Sequence, residues 1–211
     1  MIVVTAPTGQ IGSRVVQRLL DAGEKVRVVV RDPARLAPGV AGRVEIVAGS
    51  HGDPGVVDEA FAGADGVFWL APPQPRATGF DEAYSRFARP AVEAFATHRV
   101  SHVVGVSVLG RGAPQVARAG AVSAALAMDD LIASSGVAYR ALTMSYFMDN
   151  VLWQLGPILQ RGVFSFPSRP DLPFPVVATR DVADVAARLL RDRAWAGVEE
   201  TPVLGPEDLT Y

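Results

Sequence analysis

The spacing of apolar and polar positions changes between two periods within the first thirty residues. Residues 2–5 form a short, β-branched apolar run, too short for a helix and typical of a strand buried on both faces. A segment with helical spacing follows, and its apolar face carries Ile11, Val15, Val16, Leu19 and Leu20. A second apolar run covers residues 25–30. This pattern predicts a strand, a turn, a helix and a second, parallel strand joined by a right-handed crossover.

The same alternation continues along the rest of the chain. Further apolar runs predict strands at 44–48, 66–70, 103–107 and 137–142. Segments with helical spacing predict helices that start at Pro54 and Thr179 and helices over 80–96 and 116–135. Strands that alternate with helices in this way are typical of parallel α/β sheets. The order therefore predicts an α/β fold with a doubly wound (Rossmann) parallel sheet.

Composition narrows the classes of protein that the chain can belong to. No linker-like run divides its 211 residues, so we expect one domain over 1–211. The net charge of −2 argues against nucleic-acid binding, and the lack of cysteine excludes disulfides and thiolate catalysis. No apolar run is long enough for a membrane span, and the N-terminus is itself a predicted core strand. We therefore expect a soluble cytoplasmic protein, and the arginine- and alanine-rich composition indicates a bacterial source.

A glycine turn lies between the first predicted strand and the first predicted helix. Glycines allow the backbone to approach a diphosphate, and the free N–H groups of a helix N-terminus favour negative charge. The turn therefore predicts a dinucleotide site, formed by Thr8, Gly9, Gln10, Ile11 and Gly12. The alternative, an ordinary turn in which the glycines serve packing, remains open.

The end of the second predicted strand bears on the choice between NADP and NAD. Sites selective for NAD place an acid here to hold the ribose 2′-hydroxyl, whereas NADP sites place an arginine for the 2′-phosphate. Arg31 stands first in this chain, and Asp32 before Pro33 is explained as the N-cap of a short helix. Arg31 predicts NADP, with NAD possible. The alternative is that Arg31 is a solvated strand end.

The segments 5–12 and 26–33 resemble the atypical short-chain dehydrogenase/reductases, and most closely the NmrA-like family. That family includes NAD(P)H-dependent quinone reductases and cofactor-sensing regulators. Its usual opening is Gly-Ala-Thr-Gly-x-x-Gly, and Ala6 and Pro7 depart from it here. The resemblance implies a small C-terminal substrate-binding part, incomplete in this chain, with pocket elements mainly in 143–180.

The resemblance also assigns positions at the ends of later strands. It implies that Ser50 lies near the adenine, in place of the usual aspartate, and that Ala71 and Pro72 flank the cofactor ribose. Ser107 occupies the position of the catalytic serine. Tyr146 is a second polar candidate for catalysis, beside the pocket residues Phe147 and Asn150.

The largest departure from the wider superfamily concerns its Tyr-x-x-x-Lys proton relay. The corresponding positions are Ala121 and Ala125, and neither side chain can move a proton. We therefore expect reduction of a quinone or conjugated carbonyl, whose product anion is a weak base, with a small apolar aromatic or quinone-like substrate. The alternatives are a cofactor-sensing regulator without chemistry and a redox-neutral cyclase or isomerase. We expect no metal, and a homodimer is possible.

Overall fold

The computed structural model describes residues 1–166 and 168–210, and its first elements follow the predicted pattern. Strand β1 covers Ile2–Thr5, helix α1 covers Gln10–Asp21 and strand β2 covers Val26–Val30. The apolar face of α1 is buried. The helix ends before Gly23, whose φ of 79° is the left-handed conformation that glycine adopts without steric cost.

The remaining helices and strands continue the alternation of strand and helix. They are β3 (Glu45–Ala48), α2 (Pro54–Phe61), β4 (Gly66–Trp69), α3 (Phe87–Thr97), β5 (His102–Val108), α4 (Ala121–Ala133), β6 (Ala138–Met144), β7 (Tyr146–Phe147), α5 (Leu155–Arg161), β8 (Phe174–Val177), α6 (Thr179–Arg191), β9 (Val198–Pro202) and β10 (Asp208–Leu209). Short 3₁₀ turns precede α4 and α5.

Seven parallel strands form the central sheet in the order β3-β2-β1-β4-β5-β6-β9. Because the strands are parallel, their carboxyl ends meet at one edge, which we call the carboxyl edge. Strands β2 and β3 lie on one side of β1 and β4 lies on the other, so the strand order reverses at β1. Such reversals mark ligand crevices in α/β folds. A small sheet, β10-β8-β7, lies in the C-terminal part. The predicted α/β fold with a doubly wound sheet is confirmed.

Two buried clusters, one on each face of the sheet, account for the core. The first joins α1 and α6 to the sheet through residues such as Val15, Leu19 and Val182. The second joins α2, α3 and α4 through residues such as Phe61 and Ile132. The strands between them are apolar on both faces, which is why β1 and β4 are buried throughout.

Two of the predicted helices contain an irregular turn. The predicted helix over 80–96 is confirmed, and a π-helical turn over Glu82–Arg86 lies within it before the regular part, α3, continues from Phe87. Pro90 explains this, since it has no N–H for the carbonyl of Arg86 and its ring crowds that carbonyl. The predicted helix over 116–135 is divided at Gly120, whose φ of 59° interrupts it before α4.

Candidate cofactor and substrate site

The turn between β1 and α1 is held by its own backbone. Ala6 has a left-handed φ of 49°, and its carbonyl accepts a hydrogen bond from Gly9 N at 3.1 Å. A Cβ on Gly12 would overlap this carbonyl and lie 2.9 Å from the carbonyl carbon of Ala6. Gly12 therefore allows α1 to pack closely on the turn. Ile11 has its side chain in the core, so only its backbone is available to a ligand.

Gly9 differs from Gly12 because a side chain at Gly9 would not clash with the rest of the protein. A Cβ there would meet Ala6 O at 3.4 Å, which is an ordinary contact. Gly9 is the N-cap of α1, no side chain caps it, and the first turn of α1 contains no acidic residue. An uncapped helix N-terminus beside an exposed glycine is suited to an anion. The residues of this turn therefore fit the diphosphate of a dinucleotide.

The residues predicted to contact the adenosine part of the dinucleotide come directly after β2 and β3. Arg31 is exposed directly after β2. Asp32 has the capping role expected of it, because its Oδ1 accepts a hydrogen bond from Ala34 N at 3.1 Å. Ser50 is half-buried after β3, and its Oγ accepts from Gly52 N at 3.3 Å. Arg31 and Ser50 thus lie at the ends of neighbouring strands, on the carboxyl edge.

Two buried side chains fix the exit of β4, which leads to the half-buried Ala71 and Pro72. Thr5 Oγ1 donates to Phe68 O at 3.0 Å and accepts from Leu70 N at 3.0 Å. His51 Nε2 lies 3.0 Å from Leu70 O, and its ring packs edge-on against Trp69. Burial lowers the pKa of His51 to about 4, so the imidazole is neutral near neutral pH. The structure thus makes His51 a buried support of the loop after β4.

Ser107 lies at the end of β5 and is buried against α4. Its hydroxyl donates to Asp129 Oδ2, and Asp129 Oδ1 accepts from the hydroxyl of Tyr139 at 2.6 Å. We call Ser107, Asp129 and Tyr139 the hydroxyl–carboxyl cluster. Burial raises the pKa of Asp129 to about 6, although hydrogen bonds from both hydroxyls oppose the shift. Burial and the neighbouring carboxylate raise the pKa of Tyr139 well above its usual value.

Tyr146 has a different environment from Ser107, because it belongs to the small sheet. Its ring lies edge-on to Phe166, with centroids 4.9 Å apart, and to Phe174 at 6.2 Å. Phe147 packs against the core, and Asn150 is partly buried in the turn that follows. The predicted pocket residues are thus contiguous with an aromatic group at the C-terminal part of the chain.

A polar network joins this C-terminal part to the cofactor turn. Asp149 accepts hydrogen bonds from Thr179 N at 2.7 Å and from Thr179 Oγ1 at 2.6 Å. Arg14, on the first turns of α1, donates to Thr179 Oγ1 at 2.9 Å and to Gln10 O at 2.6 Å. The start of α6 is therefore linked both to the segment of Asp149 and to the predicted diphosphate-binding helix.

Ala121 and Ala125 lie in the first two turns of α4. Among the described residues, Trp69 Nε1 and Thr143 Oγ1 are buried without a hydrogen-bond partner. Trp69 and Thr143 pair with Gly105 and Ser107 of β5, so the two atoms flank the strand that carries Ser107. Two surface cavities, of about 360 and 330 Å³, are lined by none of the predicted site residues.

Sequence reasoning missed Asp129, Tyr139 and Asp149. Asp129 lies on the buried face of α4, and a lone acid on an apolar helical face is the signal that could have pointed to it. Tyr139 lies at the start of β6 beside Arg140, and nothing in its local pattern marks it. Residues 1–166 and 168–210 contain no group of three or more His, Cys, Asp or Glu side chains that could hold a metal ion, and no helix there is long and apolar enough to cross a bilayer.

Comparison with known proteins agrees with this geometry. The profile of the NAD(P)H-binding family matches residues 7–193. A reductase of (4-alkanoyl-5-oxo-2,5-dihydrofuran-3-yl)methyl phosphate from Streptomyces griseus is 34% identical over 212 residues, covering 100% of this chain and 70% of the relative. An NAD(P)H azoreductase from Xenophilus azovorans is 29% identical with the same coverage.

Solved structures share the fold at lower identity. An NADPH-dependent quinone oxidoreductase from Escherichia coli, in complex with NADPH, has a TM-score of 0.81 at 21% identity and covers 100% of this chain and 71% of its own. A triphenylmethane reductase from Citrobacter sp., in complex with NADP(H), has a TM-score of 0.82 at 20% identity, with 99% and 71% covered. From the family profile and the Streptomyces relative, the chain belongs to the Rossmann-type NAD(P)H-binding reductase family, which confirms the predicted resemblance and cofactor class.

Proposed function

We propose that this protein reduces a quinone or a conjugated carbonyl compound with NADPH in preference to NADH. The cofactor supplies a hydride from its nicotinamide when bound. In this proposal, the backbone of Thr8, Gly9, Gln10, Ile11 and Gly12 holds the diphosphate, and Arg31 binds the 2′-phosphate with its planar guanidinium. Ser50 lies beside the adenine, and Ala71 and Pro72 lie beside the ribose.

The observation that carries the proposal is the open, uncapped start of α1 at Gly9. The protein itself places only an ordinary contact near that glycine, so its lack of a side chain is unexplained by packing. A ligand that approaches the backbone closely explains it. Arg31 on the neighbouring strand end is available to such a ligand, because its side chain is exposed.

The substrate class follows from the alanines of α4. With Ala121 and Ala125 in place of a proton relay, the protein is suited to acceptors whose reduced anion needs no strong acid. Quinones meet this condition because the charge is delocalised over the ring. The substrate in the name of the Streptomyces relative has a ring double bond conjugated to two carbonyls, and hydride addition to such a bond also gives a delocalised anion. Orientation and exclusion of water are then the tasks of the protein.

The substrate side of the site is proposed to lie mainly in 143–180. Tyr146, Phe147 and Asn150 would line it, and the rings of Phe166 and Phe174 beside Tyr146 suit a flat aromatic acceptor. Ser107 and Tyr146 are the hydroxyls proposed to contact the oxygen of the substrate. The proposal includes a single domain over 1–211 and a location in the cytoplasm, where NADPH is regenerated.

The test is NADPH consumption with a panel of quinones and α,β-unsaturated lactones, followed at the absorbance of the reduced nicotinamide. We expect turnover with at least one acceptor and a higher kcat/KM with NADPH than with NADH. Tight NADPH binding by calorimetry without turnover of any acceptor would favour the sensor. Conversion of a compound without consumption of cofactor would favour the redox-neutral enzyme.

A second copy of the chain is the protein partner included in the proposal. Several large apolar side chains of the C-terminal part are exposed, among them Leu152, Trp153 and Leu159. Light scattering coupled to size exclusion measures the mass directly. A dimer that Leu159→Gln converts to a monomer would support this assignment, and a monomer at all concentrations would contradict it.

A further inference from the structure

In the hydroxyl–carboxyl cluster, the charge of Asp129 determines which group donates each hydrogen bond. A serine hydroxyl has a single proton, and Ser107 directs it to Asp129 Oδ2. The other oxygen of Asp129 is engaged by Tyr139 at 2.6 Å. An ionised carboxylate only accepts, so both hydroxyls must donate to it. In this arrangement Ser107 can offer lone pairs to a substrate but no proton.

The residues around the hydroxyl–carboxyl cluster leave space for its side chains and shield them from solvent. Tyr139 lies on β6 and runs beside Gly105, where a Cβ would lie 2.8 Å from Tyr139 Cε2. Gly105 thus leaves the space that brings the Tyr139 hydroxyl towards the end of β5. Asp129 is only 2% exposed and Ser107 only 4%. A carboxyl group buried this far is costly unless it is protonated or well bonded.

The charges that face Asp129 come from two further elements. Arg111, in the loop before α4, lowers the pKa of Asp129, and Glu200 on β9 raises it. Arg111 is itself paired with Glu200 and with the exposed Asp130 on α4. Burial exceeds these effects and raises the pKa of Asp129 to about 6. The carboxyl group therefore changes its charge around pH 6.

We propose that Asp129 is a positioning residue whose protonation reverses its hydrogen bond with Ser107. When Asp129 is protonated, its own proton is donated to Ser107 Oγ, and the hydroxyl proton of Ser107 becomes available to the substrate at the carboxyl edge. Ser107 then donates a hydrogen bond to the oxygen that becomes negative during reduction. No proton leaves Ser107, since the product takes its proton from water. The inference rests on the proposed function for its effect on turnover, but not for the reversal itself.

The reversal can be measured on the protein without cofactor or substrate. Infrared difference spectroscopy detects the carbonyl stretch of a protonated carboxyl group. A band that is present in the wild type and absent in Asp129→Asn should titrate about two pH units above exposed aspartates. In Ser107→Ala the ionised form loses a donor, so the midpoint should rise further. A band that titrates with the exposed carboxyls, or a midpoint unmoved by Ser107→Ala, would overturn the proposal.

The effect on turnover is read from the pH profile of kcat/KM. The wild type should lose up to about tenfold as pH rises through about 6, the scale of one hydrogen bond to a charged oxygen. Asp129→Asn should remain at the fast, acidic level at all pH values, because its amide can donate to Ser107 and accept from Tyr139. Ser107→Ala should remain at the slow level.

The matched control is Glu59→Gln, an exposed acid on α2 away from the cluster, which should retain the wild-type profile. Circular dichroism establishes that each variant is folded. If no acceptor is reduced at all, the proposed function fails while the infrared titration still decides the reversal. If the infrared titration succeeds and Asp129→Asn keeps a pH-dependent kcat/KM, the link between Asp129 and Ser107 is refuted.

Discussion

Asp149 caps helix α6 from thirty residues away, because its Oδ2 accepts a hydrogen bond from Thr179 N at 2.7 Å. The N-cap residue of α6 is Ala178, whose side chain cannot perform this role. The pKa of Asp149 is lowered: burial would raise it, but hydrogen bonds from Thr179 outweigh burial. The carboxylate of Asp149 thus caps the N-terminus of α6, although it lies in the segment between β7 and α5.

Replacing Asp149 should therefore destabilise the C-terminal part of the protein. We expect Asp149→Ala to lower the free energy of unfolding by about 1–3 kcal/mol, the scale of a helix cap that also leaves buried donors unpaired. Urea denaturation measures this loss. Asp149→Asn, which keeps one acceptor oxygen, should lose less. Equal stability of Asp149→Ala and the wild type would show that water replaces the cap.

Arg31 should distinguish the two cofactors. We expect Arg31→Ala to weaken NADPH binding by about 1–3 kcal/mol, the scale of a charge-assisted hydrogen bond, and to leave NADH binding nearly unchanged. Calorimetric titration of both cofactors measures the difference. Arg35→Ala, another exposed arginine nearby, is the matched control. Equal losses for NADPH and NADH would refute the assignment of Arg31 to the 2′-phosphate.

Substitutions of Gly9 and Gly12 in the cofactor turn should affect different properties, cofactor binding for Gly9 and stability for Gly12. Gly9→Val should abolish cofactor binding while the protein remains folded, since a branched side chain would occupy the place of the diphosphate. Gly12→Ala should destabilise the fold itself, because its Cβ would overlap the backbone of Ala6. Thermal unfolding and NADPH titration of both variants separate the effects. An unfolded Gly9→Val would indicate that Gly9 also serves packing.

Removal of either candidate hydroxyl should slow turnover only modestly. We expect Ser107→Ala and Tyr146→Phe each to reduce kcat by about tenfold or less, whereas general acid–base groups contribute ~10²–10⁴-fold. The reason is that the reduced acceptor can take its proton from water. A thousandfold decrease in Tyr146→Phe would identify Tyr146 as a proton donor, and the quinone assignment would then give way to ketone reduction or a redox-neutral reaction.

His51 and Asp129 should oppose each other in the pH dependence of stability. The folded pKa of His51 is about 4 against 6.5 when unfolded, so the unfolded chain binds an extra proton in this range and stability falls as pH drops. The folded pKa of Asp129 is about 6 against 3.8, so the folded state binds the extra proton and stability rises as pH drops. Each contribution is about 3 kcal/mol.

The two contributions nearly cancel in the wild type, and single variants should expose them. Between about pH 7 and about pH 4.5, Asp129→Asn should lose stability relative to the wild type, whereas His51→Gln should gain it. His51→Gln retains an N–H donor for the carbonyl of Leu70. Urea denaturation at both pH values measures each difference. Parallel pH profiles for all three proteins would contradict the folded pKa values of both residues.

Local periodicity predicts strands β1 to β6 of the central sheet, but it does not predict β9 or the small sheet. Runs such as residues 2–5 and the apolar face of α1 depend on local periodicity, and burial on both faces requires the apolar strands of a parallel sheet. The cap at Asp32 was predictable for the same reason, since it acts on the N–H group two residues away. The irregular turns before α3 and α4 were not predicted, although Pro90 and Gly120 explain them.

Which polar groups contact each other depends on how the helices pack on the sheet. Ser107 and Asp129 lie 22 residues apart, and Asp149 and Thr179 lie 30 apart, so no local pattern joins them. Their hydrogen bonds depend on how α4 packs on the sheet and where α6 begins. The pKa values also depend on the tertiary structure, because burial lowers the pKa of His51 and raises the pKa of Asp129. Periodicity shows which face of an element is buried, whereas the partner of a buried polar atom depends on the packing of distant elements.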